Sequence, residues 1–260
     1  MNRKNFSTSD GVVEMLILGD PNSEEKVLIM AGKHGDEPEG VYIIKNFLIP
    51  YLEENEFFNK CFVIFPNLNP NKVNACLDKL VKKEIKKYEM LREFRFTESG
   101  VNLNADYPTV YREEDDAFLQ ATQTSIVIDA VNGYGCGLIL DFHTNGPSYM
   151  SLYKYDEKIG KALAEEMGKI TKTASRDYVH HKNKGKILSG TSGTYFGRER
   201  KIPIITIELG RAKPQYDFFR HCERLWKRHK PGLDYLFASF PDPDDDDIQD
   251  GCGENGVSAS

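Results

Sequence analysis

The sequence predicts an α/β fold in which helices cover both faces of a mixed, mostly parallel sheet. Two observations carry this expectation. Short apolar runs of strand length alternate with longer amphipathic stretches. Three of the short runs also end in residues that bind metals or move protons, in "AGKHGDEPEG", "LILDFHTNG" and "IPIITIELG", and ligands of such folds gather at the carboxyl ends of the strands.

Taken in order, "VVEMLILG" and "KVLIMAG" are expected strands, each a near-continuous apolar run as a sheet buried on both sides requires. "EPEGVYIIKNFLIPYLEEN" has the apolar spacing of a helix, interrupted near Pro50, and "CFVIFPNLN" returns to strand. "GCGLILDFHTNG" and "YMSLYKY" are the next strands, "DEKIGKALAEEMGKITKTA" a helix and "KIPIITIELG" a strand. "QYDFFRHCERLWKRHKPGLDYLFASF" is a closing helix with Pro231 inside it. Two stretches break the rhythm and read as loops that form a site: residues 71–112, and the basic, glycine-containing "HHKNKGKILSGTSG".

At 260 residues, with 40% hydrophobic and 28% charged side chains, the chain suits one large domain with its own core. Residues 1–240 form that expected domain, and 241–260 an acidic, disordered tail. The tail holds seven of the 40 acids and no Lys or Arg, which leaves 33 acids against 34 bases in the body. No basic stripe points to nucleic acid. The five cysteines are odd in number and never paired as CxxC, which fits a reducing, cytoplasmic setting. The N-terminal residues lack the apolar core of a signal peptide, and no run reaches the roughly 18 apolar residues of a membrane span.

His34 and Glu37 end the first of the three marked strands, Asp141 and His143 the second, and Glu208 the third. Two imidazoles and one carboxylate leave a fourth position on zinc for water, and Glu208 would be the spare carboxylate that takes its proton. HxxE alone is a common accident. Glu208 is harder to dismiss, because burying a carboxylate in an apolar strand without a partner costs several kcal/mol. His180 and His181 lie in a lysine-rich loop and are left out of the ligand set.

These residues resemble the zinc metallocarboxypeptidase superfamily, through "HGDEPEG", the distant His143, the run "GTSGTYFGRERKIPIITIELG" into Glu208, and "GVNLNADYP", which resembles the signature GVDLNRNFP. The resemblance covers roughly residues 11–240. It implies a mixed sheet of about eight strands between helices and one zinc ion per chain on His34, Glu37 and His143. It also implies Glu208 as general base and Arg95 as the group that steadies the oxyanion. Asn102 stands where the family places the aspartate behind the first histidine, and Asp141 is expected to give outer support to the site. Asn104 persists, but the carboxylate-gripping arginine is Ala105, and Asp106 follows. Asp106 is expected to receive a substrate's ammonium. Ser189 stands at the position of the family's mobile tyrosine, so Tyr195 would have to reach in from further along.

The resemblance is strongest to murein peptide amidases, which implies amide hydrolysis in a small, cell-wall-derived peptide. The alternative is an N-acyl amino acid deacylase: "TIELGRAKP" resembles the succinylglutamate desuccinylase and aspartoacylase branch, with Arg211 binding a carboxylate. A third reading, from another class, is a catalytically silent zinc- or ligand-binding relative.

Overall fold

The structure is a computed structural model that describes residues 1–55, 57, 59–110, 119–144, 148–151, 157–177, 189–213 and 215–239. His180, His181 and the acidic tail lie outside these residues. The strands are β1 (Asn2–Thr8), β2 (Gly11–Gly19), β3 (Glu25–Ala31), β4 (Lys60–Phe65), β5 (Leu138–His143), β6 (Ser148–Ser151), β7 (Ala174–Asp177) and β8 (Ile204–Glu208). The helices are α1 (Pro38–Ile43), α2 (Ile49–Glu54), α3 (Pro70–Val81), α4 (Thr122–Tyr134), α5 (Glu157–Thr171) and α6 (Phe218–Ser239).

All strands join one sheet in the order β1-β2-β4-β3-β5-β8-β6-β7. Its centre, β4-β3-β5-β8, is parallel, while β1-β2, β2-β4 and β6-β8 pair antiparallel. The fold class is therefore the one the sequence predicts. Successive residues of β3 face opposite sides: Val27, Ile29 and Ala31 pack with Phe62, Leu140, Leu225 and Leu236, whereas Leu28 and Met30 pack with Val63, Ile126 and Ile139. Both faces are thus apolar, and the strands read as unbroken runs.

Pro50 explains the interruption in the first helical stretch. Proline lacks an N–H and its ring crowds the carbonyl four residues earlier. The chain answers with a π-helical turn, Ile44–Leu48, in which the Ile49 N–H reaches back to the Ile44 carbonyl, and α2 then begins. Pro231 is accommodated within α6.

Four elements differ from expectation: β1, β7, α3 and α4, of which β7 is a short strand that pairs with β6. β1, "NRKNFST", forms a hairpin with β2 although it is largely exposed and polar. Helix α3 lies inside the stretch read as loop; it buries only Val73, Cys76 and Leu80, a thin apolar stripe among polar residues. Helix α4 is hidden because its sequence, "TQTSIVIDAVNGY", mixes β-branched residues with helical spacing; it ends at Gly135 in the left-handed conformation. No helix among the described residues is long and apolar enough to cross a membrane.

Candidate metal centre

The carboxyl ends of β3, β5 and β8 lie side by side in the sheet, with Met30 opposite Asp141 and His143 opposite Glu208. Gly32, at φ +74°, turns the chain out of β3 where a side chain would meet Asn67 Oδ1 at 2.6 Å. Gly35 lies so close to the Phe94 carbonyl and the Lys72 side chain that a Cβ has no room there. Its N–H donates to the Arg95 carbonyl (3.3 Å), which docks the short helix Tyr88–Phe94 and Arg95 against this turn. Pro38 opens α1 immediately after Glu37.

These elements bring His34, Glu37 and His143 together, all buried, with potential ligand atoms within 4.8 Å of one another. His34 Nδ1 is 3.0 Å from Glu37 Oε1, and His143 Nδ1 is 2.9 Å from Glu37 Oε2. The Thr144 N–H also donates to Glu37 Oε2 (2.9 Å). Each histidine is backed on its other nitrogen. His34 Nε2 lies 3.2 Å from Asn102 Oδ1, and His143 Nε2 lies 3.3 Å from Asp141 Oδ1.

Electrostatics favours a cation here. Burial opposes the charge on Glu37, yet His143 and His34 hold its pKa well below the usual carboxylate range. Burial likewise opposes protonation of His143, but Asp141 and Glu37 outweigh it and raise its pKa to about 10. For His34 burial prevails and its pKa falls. The donor set, two imidazole nitrogens and a carboxylate with each imidazole held from behind, matches the ligands of a catalytic zinc site, and a metal ion would replace the protons that these groups share.

Around this set the structure places residues to which the sequence reading gave no role. Asp36 is buried and meets two guanidiniums, Arg95 Nη1 at 3.6 Å and Arg211 Nη2 at 3.3 Å. Both arginines also lie 3.6 Å from Glu37 Oε1, and Arg211 Nε donates to the Thr144 carbonyl (3.2 Å). Glu39, whose pKa burial raises to about 7, accepts the Ala212 N–H (2.7 Å) and so anchors the loop that carries Arg211. Lys33 is 1% exposed and pairs with Asp141 at 2.5 Å. The sequence signal for Asp36 and Lys33 was their density of charge at the end of an apolar strand.

Asp106 is engaged at the start of α4. Its carboxylate accepts the N–H groups of Gln120 (3.0 Å) and Ala121 (2.6 Å) and the Thr124 hydroxyl (2.9 Å). Its negative charge thereby sits at the positive dipole end of α4 and holds the backbone of the two residues that precede the helix, and both oxygens accept hydrogen bonds from the protein. The Tyr195 ring packs with Tyr107 and Phe196, and its hydroxyl lies 3.4 Å from an Arg200 nitrogen. Ser189 is half-buried beside Gly190, whose carbonyl accepts the Tyr107 N–H (2.8 Å). Asn104 Oδ1 accepts from Lys33 Nζ (2.9 Å). Glu208 is 9% exposed on the ladder position next to His143.

Family membership and structural likeness support a hydrolase of the carboxypeptidase, amidase or deacylase type. The chain belongs to the succinylglutamate desuccinylase/aspartoacylase catalytic domain family, whose profile matches residues 23–221. No curated protein sequence matches it significantly. Among solved structures, carboxypeptidase A from Helicoverpa armigera is similar in fold (TM-score 0.61, 16% identity, covering 92% of this chain and 69% of that one). So is the murein-tripeptide amidase MpaA from Escherichia coli O157 (TM-score 0.56, 13% identity, covering 86% and 92%). The product-bound ectoine utilization protein EutE (DoeB) from Ruegeria pomeroyi gives a TM-score of 0.59 at 17% identity, and this chain spans 92% of itself but 65% of that protein in the match.

Proposed function

We propose that this chain is a zinc-dependent hydrolase that cleaves the amide bond of a small, anionic N-acyl amino acid. The observation that carries the proposal is the pair of guanidiniums, Arg95 and Arg211, that flank the candidate ligands at 3.6 Å from Glu37. Their two charges cancel those of Asp36 and Glu37, and Lys33 cancels Asp141. A divalent ion then outweighs Glu208 and the partly ionised Glu39 together, so the site attracts an anion.

His34, Glu37 and His143 are the residues that would hold one zinc ion. Zinc bound there would polarise the scissile carbonyl and lower the pKa of a water molecule. Glu208, on the ladder position beside His143, takes a proton and passes it to the leaving amine. Arg95, about one-third exposed, steadies the developing oxyanion, and Arg211 binds a substrate carboxylate. Asp36 holds both arginines and keeps them aimed at the ligand set. Family membership supports this reading. Four buried free thiols, Cys61, Cys76, Cys136 and Cys222, support a reducing, cytoplasmic location as part of the same proposal.

The reading of a murein peptide as substrate drew a physical handle from Asp106 receiving an ammonium, and that carboxylate accepts from Gln120, Ala121 and Thr124. N-acyl amino acids are therefore the first substrates to test. Metal-loaded protein is assayed for amine release from N-acetyl and N-succinyl amino acids and from murein tripeptide, with and without chelator. Chelator-sensitive release from the acylated amino acids, lowered at least ~100-fold by Glu208→Gln, is the expected result. Release from the tripeptide alone would instead make the chain a peptide amidase. Full zinc occupancy with no turnover of any substrate would make it a silent relative.

A further inference from the structure

We infer that Lys33 is a positioning residue that ties together the outer supports of both candidate ligand histidines, an inference that rests on the zinc reading above. Its ammonium donates to three acceptors: Asp141 Oδ2 at 2.5 Å, Ser192 Oγ at 2.7 Å and Asn104 Oδ1 at 2.9 Å. The ring of buried Tyr107 lies 5.6 Å from Nζ on a further side. Three donors and three acceptors account for the whole hydrogen-bonding capacity of an ammonium.

Each acceptor leads to the site. Asp141 turns its other oxygen, Oδ1, toward His143 Nε2 at 3.3 Å. Asn104 donates its backbone N–H to Asn102 Oδ1 (3.1 Å), the same oxygen that faces His34 Nε2 at 3.2 Å. Ser192 donates back to Asp141 Oδ2 (3.0 Å), which brings the start of the Gly193–Glu199 turn into the cluster. One ammonium therefore stands one residue behind His143, through Asp141, and two residues behind His34, through Asn104 and Asn102.

Chemistry favours a cation at this point. Asp141 is 1% exposed, and an unpartnered carboxylate there would be strongly disfavoured. Without Lys33, Asp141 would have to draw on His143 and Ser192 alone, and the 102–104 turn would lose the hydrogen bond that Asn104 accepts from the ammonium. Lys33 also fixes the Asn104 amide. Because an ammonium has no acceptor, it must face the amide oxygen, which leaves the amide NH2 to point elsewhere as a donor.

The experiment titrates metal-free protein with zinc against a competing chelator dye, for the parent and for Lys33→Met, Ser192→Ala, His34→Ala and Lys60→Met. Unfolding midpoints without metal and visible spectra of the cobalt(II) forms are recorded for each. Lys60 is a matched control, a second buried lysine, paired with Glu25 at the opposite ends of the strands. Lys33→Met is expected to weaken zinc about 10- to 100-fold and to alter the cobalt spectrum. Ser192→Ala should act in the same direction with a smaller loss. Lys60→Met should lower the unfolding midpoint and leave zinc affinity where it was.

Zinc bound as tightly by Lys33→Met as by the parent overturns the inference alone, and so does an equal loss in Lys60→Met. If Lys33→Met does not fold, Ser192→Ala decides, and unchanged affinity in it is the adverse result. A parent that binds no zinc, or that binds it undiminished after His34→Ala, overturns the zinc reading and the inference with it.

Discussion

Asp106 offers a direct choice between two roles, because a helix cap and a substrate contact respond differently to substitution. The side chain is 2% exposed and accepts three hydrogen bonds at the start of α4. Bonds to a charged group contribute about 1.5–3 kcal/mol each, and losing a cap costs about 0.5–2 kcal/mol. These terms overlap, so Asp106→Ala is expected to lose about 3–5 kcal/mol. Asp106→Asn keeps a carbonyl acceptor and loses the charge, for about 1–2 kcal/mol. In a domain of this size a loss of 3 kcal/mol lowers the thermal midpoint by roughly 6–12 °C. Urea unfolding measures the stability, while zinc titration and kcat/KM of the folded protein measure the site. Stability should fall in both variants with zinc affinity unchanged. Parent-like unfolding of Asp106→Asn, together with a KM raised about tenfold (~1.4 kcal/mol), would return the residue to substrate binding.

Three further outcomes are expected. Gly35→Ala should weaken zinc more than about tenfold, since its Cβ must push against the Phe94 carbonyl and Lys72; parent-like affinity in a chelator competition would show that the turn has room. Saturating zinc, at about 1,000 times its Kd, should stabilise the protein by about 4 kcal/mol, seen as a thermal midpoint that chelator lowers again and that does not respond to zinc in His143→Ala. His229 is buried in α6, and burial, aided by Arg228, depresses its pKa to about 4. The unfolded chain takes up that proton at higher pH than the folded one, so the contribution is complete above about pH 6.5 and is lost toward pH 4. Relative to His229→Leu, the parent should lose about 2 kcal/mol between pH 7.5 and 5; parallel urea midpoints for the two proteins over that range would contradict it.

The central strands were legible because burial on both faces leaves nearly unbroken apolar runs, as in "KVLIMAG" and "KIPIITIELG". β1 was not, since an edge strand with exposed side chains draws its order from backbone pairing to β2 and carries little apolar signal. Helices α3 and α4 were missed for opposite reasons: one buries three residues among polar neighbours, and the other is rich in β-branched residues that favour strands. At the site, His34, Glu37, His143 and Glu208 could be found because each sits in a short local pattern at a strand end. Lys33, Asp36 and Ser192 act through partners 51 to 175 residues away along the chain. No window of sequence displays such a contact. Asp106 illustrates the reverse, since its position in a motif suggested a pocket while the fold engages one oxygen with Gln120 and the other with Ala121 and Thr124.

The pairing of His143 with Glu208 across adjacent strands has a consequence for how such a site can diversify. These two residues occupy one rung of the β5-β8 ladder, and the Leu209 N–H donates to the His143 carbonyl (2.7 Å) just beyond it. Their backbones are held at the inter-strand spacing of roughly 4.8 Å, so the separation of ligand and proposed base is a property of the sheet. Arg211, the proposed carboxylate contact, is borne instead on the segment between β8 and α6. Under the proposed function, substitution in that segment retunes what is recognised while the ligand-to-base spacing keeps its dimensions, which places the two under separate mechanical control.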